Sequence, residues 1–388
     1  MSSHSSHSST ISKWYTWSFI AILSGLFLLF ILLPKSYYSE LENRTLQGVP
    51  QFTWMKLFEG QFTKDAETYI TDHFPYRDQW VISKSILERL RLQQENNGIY
   101  RGKDGYLFEK LEAPDYDKLE QYTNAVNEFA KRHRDKNITF LLAPTSIGLY
   151  QDKLPWLAQS YSQQLIHQFI AGQVAANMTW IDGYTFLEPM KNSSKPIFYK
   201  TDHHWTSYGA YLAYEAYAKQ QGWHAATEED FTITTVSDSF LGSYHTRSLF
   251  SGIKPDSIEI YTPVKPVSSE LYIADTNTTS HSLYDPTYLT KKDQYSYFQG
   301  GVHALMQIVT ELNAKQVDLD KLLIIKDSYA HSVLPFLVSH VKELHVIDIR
   351  YYNGSIDSYM EEHQINDALL LFNSSTFKTE QNILKLKY

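Results

Sequence analysis

Three polar clusters carry residue types that could do acyl-group chemistry. The first is Tyr199-Lys200-Thr201-Asp202-His203-His204-Trp205-Thr206, which places a carboxylate and two imidazoles side by side just ahead of a predicted helix. Successive side chains alternate in an extended segment, so Asp202 and His204 are expected on one face and His203 on the other. A carboxylate so placed can hold the proton on one nitrogen of His204 and leave the other nitrogen free as a base. The second is Leu322-Leu323-Ile324-Ile325-Lys326-Asp327-Ser328-Tyr329-Ala330, an apolar run that breaks into a polar turn. Ser328 is the candidate nucleophile, because a strand-to-helix turn presents its hydroxyl at the sheet edge, with backbone N–H groups nearby to face an oxyanion. A serine there is also an ordinary helix N-cap, and an isolated Asp-His pair is often structural. Their joint placement in one α/β pattern is what points to a site.

The third cluster is Leu369-Leu370-Leu371-Phe372-Asn373-Ser374-Ser375, where Asn373 could donate its amide N–H to an oxyanion or simply form a turn. The stretch Ile347-Asp348-Ile349-Arg350-Tyr351-Tyr352 offers backbone donors and Arg350. With Tyr329 and Tyr351 these complete the oxyanion and substrate candidates. Gly300-Gly301-Val302-His303 reads equally as a plain turn or as part of the site.

The elements that must position these residues alternate. Helical periodicity over Tyr116 to Arg134 leads to a β-rich run from Ile138 to Ala143, a helix near Gln163 to Ala176 and a strand from Thr179 to Ile181. A helix near Ser207 to Gln221 follows, then a Thr-, Ser-, Tyr- and Pro-rich stretch read as a β-rich insertion over about 227–300. Alternation resumes with a helix near His303 to Ala314, strand Leu322 to Ile325, helix Ser332 to Val341, strand Leu344 to Ile347, helix Ile356 to His363 and strand Ala368 to Phe372. Continuous apolar strands separated by helices predict a mostly parallel sheet covered on both faces, with catalytic groups beyond the carboxyl ends of its strands.

Ahead of this domain, Trp14 to Leu33 carries no charge, and at about 1.5 Å per residue it is long enough to cross a core of about 30 Å. Pro34, Lys35, Ser36, Tyr37 and Tyr38 follow it instead of a small-x-small cleavage site, so an uncleaved anchor is expected. Lys13 and Lys35 flank the span almost evenly, and a short tail before a large domain sets N-in, C-out as the default. The expected organisation is a cytoplasmic tail over 1–13, an anchor over 14–33, a membrane-proximal helical region over 34–101 and an α/β domain over 102–388. Amphipathic helices are expected in the proximal region around Phe58 to Ile70 and Trp80 to Gln94. His4 and His7, in the Ser-rich tail, read as solvated rather than metal-binding.

Composition narrows the chemistry further. A net charge of -8 leaves no basic field for nucleic acid. The chain has no cysteine, which excludes disulfides, thiolate metal sites and cysteine nucleophiles. Twenty-nine Tyr among 388 residues suit a sugar-lined cleft as well as ordinary packing. A metallo-phosphoesterase built on His203 and His204 is disfavoured, since their side chains should diverge and no supporting Asp/His constellation is evident; no metal and no cofactor are expected.

The Asp202-His203-His204-Trp205 motif with its downstream Asp327-Ser328 turn resembles the DHHW family, which is related to SGNH-type hydrolases and to the periplasmic alginate O-acetylation proteins. The likeness extends to Glu42-Asn43-Arg44, to His73-Phe74-Pro75-Tyr76-Arg77 and to Gly102 to Phe108, and so spans most of the chain. It implies an SGNH-like three-layer α/β sandwich in which Ser328 is the nucleophile, His204 the base and Asp202 its orienter, with oxyanion donors after the serine. No clean Gly-x-Asn-Asp block follows Ser328, so the resemblance leaves the oxyanion set open. It also implies an extracytoplasmic, membrane-anchored O-acetyltransferase acting on a cell-surface or exported polysaccharide, served by a membrane-bound O-acyltransferase partner. A carbohydrate acetylesterase and a non-catalytic glycan-binding or assembly protein are the alternatives.

Overall fold

The longest apolar run of the sequence becomes its longest described helix. In the computed structural model, which describes residues 5–39, 41–314 and 316–388, this helix runs over Ser5–Leu32, and Lys13–Leu32 is long and apolar enough to cross a membrane. It starts before the apolar run because a helix, once nucleated, propagates cheaply into neighbouring serines. The backbone from Ser5 is therefore helical where the sequence predicts a free tail, and His4 lies outside the described residues.

The chain divides into two units, Met1–Leu92 and Gln93–Tyr388. The first carries helices Trp54–Phe58, Gln61–Asp72 and Arg77–Leu90 after the apolar one. An ion-pair network holds it. Arg44 Nη2 meets Asp72 Oδ1 at 2.5 Å, while Arg44 Nε and Arg77 Nη2 both reach Glu42 Oε2, at 2.8 and 2.7 Å. Asp72 Oδ2 also accepts from Gln47 N at 2.9 Å. The Glu42-Asn43-Arg44 and His73-to-Arg77 segments thus share one structural task, pinning the loop after the apolar helix to the two amphipathic helices.

The second unit opens with a small antiparallel sheet of Glu95–Asn96, Ile99–Arg101 and Leu107–Glu109, and its later strands are, in chain order, β1 (Asn137–Ala143), β2 (Thr179–Asp182), β3 (Phe231–Phe240), β4 (Asp256–Pro263), β5 (Ser268–Ile273), β6 (Thr278–Ser280), β7 (Leu305–Glu311), β8 (Leu319–Lys326), β9 (Val341–Asp348) and β10 (Asp367–Asn373). Eight form one sheet in the order β6-β5-β7-β9-β8-β10-β1-β2, while β3 and β4 pair with each other. The five strands from β9 to β2 are parallel, and β7, β5 and β6 add an antiparallel edge.

Period-2 alternation divides the apolar residues between the two faces. Leu322 and Ile324 of β8 pack with Tyr211 and Tyr214 of helix Ser207–Gln221; Leu323 and Ile325 pack with Val126 and Phe129 of helix Tyr116–Arg132. Helix, sheet and helix make the three layers that the sequence predicts. Because β8 lies between β9 and β10, the chain leaves β8 in one direction and returns on its other side. Ser328 therefore follows the strand at which the winding reverses, the place where such sheets open a crevice.

Three expectations are corrected. The helix predicted near His303 to Ala314 is strand β7: Met306, Ile308 and Thr310 are buried, alternating with more exposed neighbours, and Leu305 to Val309 pair with β9. Its period is 2, and a free sheet edge was available to take it. The helix predicted over Ser332 to Val341 shrinks to a 3-10 turn over Ser328–Ser332 and a short helix, Leu334–Leu337. Pro335 is tolerated only in a first turn, and Val341 already opens β9. The stretch read as an insertion is not wholly one, since β5 and β6 extend the main sheet.

Candidate active site

The Asp202 turn is a loop between bridge partners and not an extended run. Phe198 pairs antiparallel with Trp205, and Thr206 N donates to Ile197 O at 2.8 Å. Within the loop Asp202 Oδ1 accepts from the backbone N–H of His204 at 2.9 Å and faces its ring Nδ1 at 2.6 Å. Because the loop curls, His203 does not point away as alternation predicts: its ring lies 3.7 Å from that of His204, centroid to centroid, tilted by 39°. His203 Nδ1 contacts Ser243 Oγ at 2.6 Å. Asp202, His203 and His204 offer ligand-type atoms within 4.8 Å of one another, so the adjacent histidines do converge.

Neighbouring elements brace this loop from outside. Asp256 accepts from Lys200 N, Thr201 N and Thr201 Oγ1 at 2.9, 2.8 and 2.7 Å. Ser243 N donates to Asp202 Oδ2 at 2.7 Å. At Gly242 an added Cβ would lie 2.3 Å from Asp202 Cβ, so the close approach requires glycine.

On the other side of the site, β8 delivers Asp327 as the N-cap of the Ser328 turn. Asp327 Oδ1 accepts from Tyr329 N at 2.8 Å, and its Oδ2 from Asn373 N and Nδ2 at 2.8 and 2.7 Å. Two bonds stitch the remote segments together: Trp205 Nε1 donates to Tyr329 O at 2.9 Å, and Tyr329 Oη to His203 O at 2.5 Å. The result is a contact of 2.7 Å between His204 Nε2 and Ser328 Oγ, across 124 residues of chain.

Electrostatics follow from burial. Asp202 is buried, which alone would favour its neutral form, but His203 and His204 overcome this and hold its carboxyl well below the usual carboxylate range. Burial and the charge of His203 push His204 down to about 3, against the opposing pull of Asp202. The imidazole is therefore neutral at ordinary pH, the state a base requires. Beneath the serine turn, fully buried Lys326 Nζ meets Asp348 Oδ2 at 3.0 Å and His331 Nε2 at 2.8 Å. Asp348 in turn takes Arg350 Nε and Nη2 at 2.8 and 2.7 Å.

The oxyanion and substrate candidates fare differently. Asn373 is committed elsewhere: one amide hydrogen goes to Asp327 and the other to Thr376 Oγ1 at 2.8 Å. The hydroxyl and backbone N–H of Tyr329 are likewise taken, by His203 O and Asp327. Tyr351 is 55% exposed and stands against the Arg350 guanidinium, 5.5 Å from its ring centroid. Arg350, bonded to Asp348 through Nε and Nη2, lines a cleft of about 340 Å³ together with His203, Ser243, Arg247 and Asn373. Of Ser328 itself 9% is exposed.

Sequence reasoning missed Tyr295, whose ring stacks on His204 at 3.6 Å and 10°. It also missed Gly242, Ser243 and Asp256. Gly242 and Ser243 begin the short helix Ser243–Ser248, Asp256 opens β4 and Tyr295 sits in a 3-10 turn, all within the stretch where the sequence shows no long periodic run, and only the density of Tyr around Tyr295 hints at a role.

The pattern of the family described as DHHW protein matches residues 115–347. Among solved structures, a DHHW family protein from Eubacterium siraeum is similar with 25% identity and a TM-score of 0.65, over 76% of this chain and 96% of its own. Bacillus cereus PatB1, solved with a sulfonyl adduct, is 20% identical with a TM-score of 0.62, over 75% of this chain and 97% of its own, and shares the fold. No curated protein matches the chain in sequence. With a pattern that covers more than half of its length and takes in both the Asp202-His203-His204-Trp205 loop and the Ser328 turn, the chain belongs to the DHHW family.

Proposed function

We propose that this protein is an O-acyltransferase that moves acetyl groups onto a polysaccharide outside the cytoplasm, anchored by its Lys13–Leu32 helix. The carrying observation is the unbroken hydrogen-bonded file from Asp202 through His204 to Ser328. Asp202 holds the Nδ1 proton, His204 Nε2 is free to accept, and Ser328 Oγ is the alcohol it activates. In the first half-reaction His204 takes the Ser328 proton, Oγ bonds to the carbonyl carbon of an acyl ester or thioester, and the donor's leaving group departs with that proton. In the second, a sugar hydroxyl gives its proton to His204 and attacks the acyl carbon. The bond to Oγ breaks, and the proton returns to Ser328.

Arg350 is assigned to the substrate. Two of its nitrogens are fixed by Asp348, which presents the guanidinium rigidly to the cleft. The acyl donor reaching an outer-face site is supplied by a membrane-bound O-acyltransferase partner.

The test is to incubate the full chain, in detergent micelles, with an acetyl ester with and without an oligosaccharide acceptor. Acetylated sugar is expected. Acetate alone would make the protein an esterase, and full cellular function of Ser328→Ala would make it a binding or assembly protein. Chelation by EDTA should leave turnover unchanged; a loss restored by added metal would turn Asp202, His203 and His204 into ligands.

A further inference from the structure

The imidazole of His204 is held at both nitrogens and on both faces. Asp202 and Ser328 take Nδ1 and Nε2. The rings of Tyr295 and His203 lie 3.6 and 3.7 Å from it, centroid to centroid, at 10° and 39°. Two rings that close to a third can both fit only on opposite faces, so His204 is sandwiched. Anchoring Nδ1 alone leaves an imidazole free to tilt about its Cβ–Cγ axis, and a tilt carries Nε2 off the line to the serine.

We infer that Tyr295 is a positioning residue for the acyl-transfer reaction: its ring sets the plane of the His204 imidazole and its π face stabilises the imidazolium formed while the serine proton resides on Nε2. This rests on the reading of Ser328 and His204 given above. Tyr295 is itself immobilised. It sits in the 3-10 turn Gln294–Tyr297, is buried, and donates its hydroxyl to Ser328 O at 3.2 Å, with Ser332 Oγ at 3.3 Å. Phe298 supports the ring at 5.3 Å, and Tyr199 meets it edge-on at 6.3 Å. One residue thus touches the base through its face and the nucleophile's backbone through its hydroxyl.

The attraction between an aromatic face and a cation exists only after the proton has moved. It therefore favours the transition state over the ground state and acts on kcat rather than on KM. A buried pair of this kind is worth about 5- to 30-fold in rate.

Three variants of the full chain, assayed for acetyl-ester turnover in detergent, test this. Tyr295→Leu should lower kcat about 5- to 30-fold with KM unchanged. Tyr295→Phe keeps the face and should retain most of the rate. Tyr297→Leu removes a similarly buried ring from the same turn, one stacked on Tyr284 at 5.1 Å and not on His204, and should leave kcat near wild type. If Tyr295→Leu does not fold, as judged by circular dichroism, Tyr295→Met fills the space without a π face and carries the same expectation. Wild-type kcat in the Leu or Met variant, a loss confined to KM, or an equal fall in Tyr297→Leu each overturns the inference. Ser328→Ala, run alongside, separates the two levels: if it keeps turnover, the underlying reading of the serine fails instead.

Discussion

Among the described residues the second unit contains two Ser-His-Asp arrays, and the proposed function assigns chemistry to only one of them. In the first, Asp202 Oδ1, His204 Nδ1 and Nε2, and Ser328 Oγ are linked at 2.6 and 2.7 Å. In the second, Asp182 Oδ1 and His167 Nδ1 are 2.6 Å apart, and His167 Nε2 and Ser374 Oγ 2.5 Å. The distances barely differ. What differs is the serine proton: Ser374 Oγ donates to Ala143 O at 3.0 Å, whereas His204 Nε2 is the one acceptor for Ser328 Oγ among the described residues. Ser374 is fully buried, while Ser328 keeps some exposure. The second array ties helix Gln163–Ala171 to the ends of β1, β2 and β10. Triad spacing is therefore a poor indicator of a nucleophile unless the hydroxyl proton is free to leave and a reactant can reach the oxygen.

The sharpest break between the arrays is in rate. Ser328→Ala should reduce acetyl-ester turnover by about 10⁶-fold in kcat, the scale at which removing a triad serine abolishes its chemistry. Ser374→Ala should leave kcat within about twofold. Equal losses in steady-state assays would erase the distinction. The next effect is about 10⁴-fold: Asp202→Asn replaces the acceptor at His204 Nδ1 and favours the tautomer whose proton points at the serine. Asp182→Asn should barely change kcat, although it weakens the His167 contact.

The same contrast shows what could be read from residues alone. Asp202, His204 and Ser328 could be singled out because each sits beside a recognisable apolar strand or a predicted helix, and the parallel core of β9, β8, β10 and β1 was legible because its strands are apolar runs rich in Leu, Ile, Val and Phe. The 167–182–374 array was not, since His167 lies on an ordinary amphipathic helix and Ser374 in a plain turn. Strand β7 was missed because a seven-residue apolar alternation can serve either period until a partner edge is known. The direction of His203 was missed because one loop between bridge partners, Phe198 and Trp205, replaced extended backbone by a curl. Asn373 looked like an oxyanion donor from its place after a strand; only the position of Asp327 reveals that its hydrogens are spent.

A smaller, pH-dependent difference follows from burial. With His204 pushed down to about 3, kcat/KM should stay flat on acidification well below 6.5, the ordinary histidine value, and fall only as pH approaches 3. Stability moves in the same direction. Between about pH 6.5 and 3 the unfolded chain protonates this imidazole and the folded one does not, so acid favours unfolding. His204→Gln should lessen that slope in thermal melts recorded from pH 7 to 4. An unchanged slope would mean that other buried histidines, such as His245 and His345, carry it.

The smallest effect reverses the order of the two serines. Ser374→Ala removes a hydroxyl that serves two buried groups, so Ala143 O loses a donor and His167 Nε2 loses its partner in a site without exposure. Leaving buried polar groups unpaired costs about 1–3 kcal/mol each. Ser328→Ala deprives only His204 Nε2, on a ring still held by Asp202, Tyr295 and His203, so its cost should lie at the bottom of that range. Chemical denaturation of both variants should therefore show the catalytically silent substitution as the more destabilising one. If Ser328→Ala proves the less stable, Ser328 contributes to the fold as much as Ser374 does, and the division of the two arrays into a reactive one and a structural one loses its physical basis.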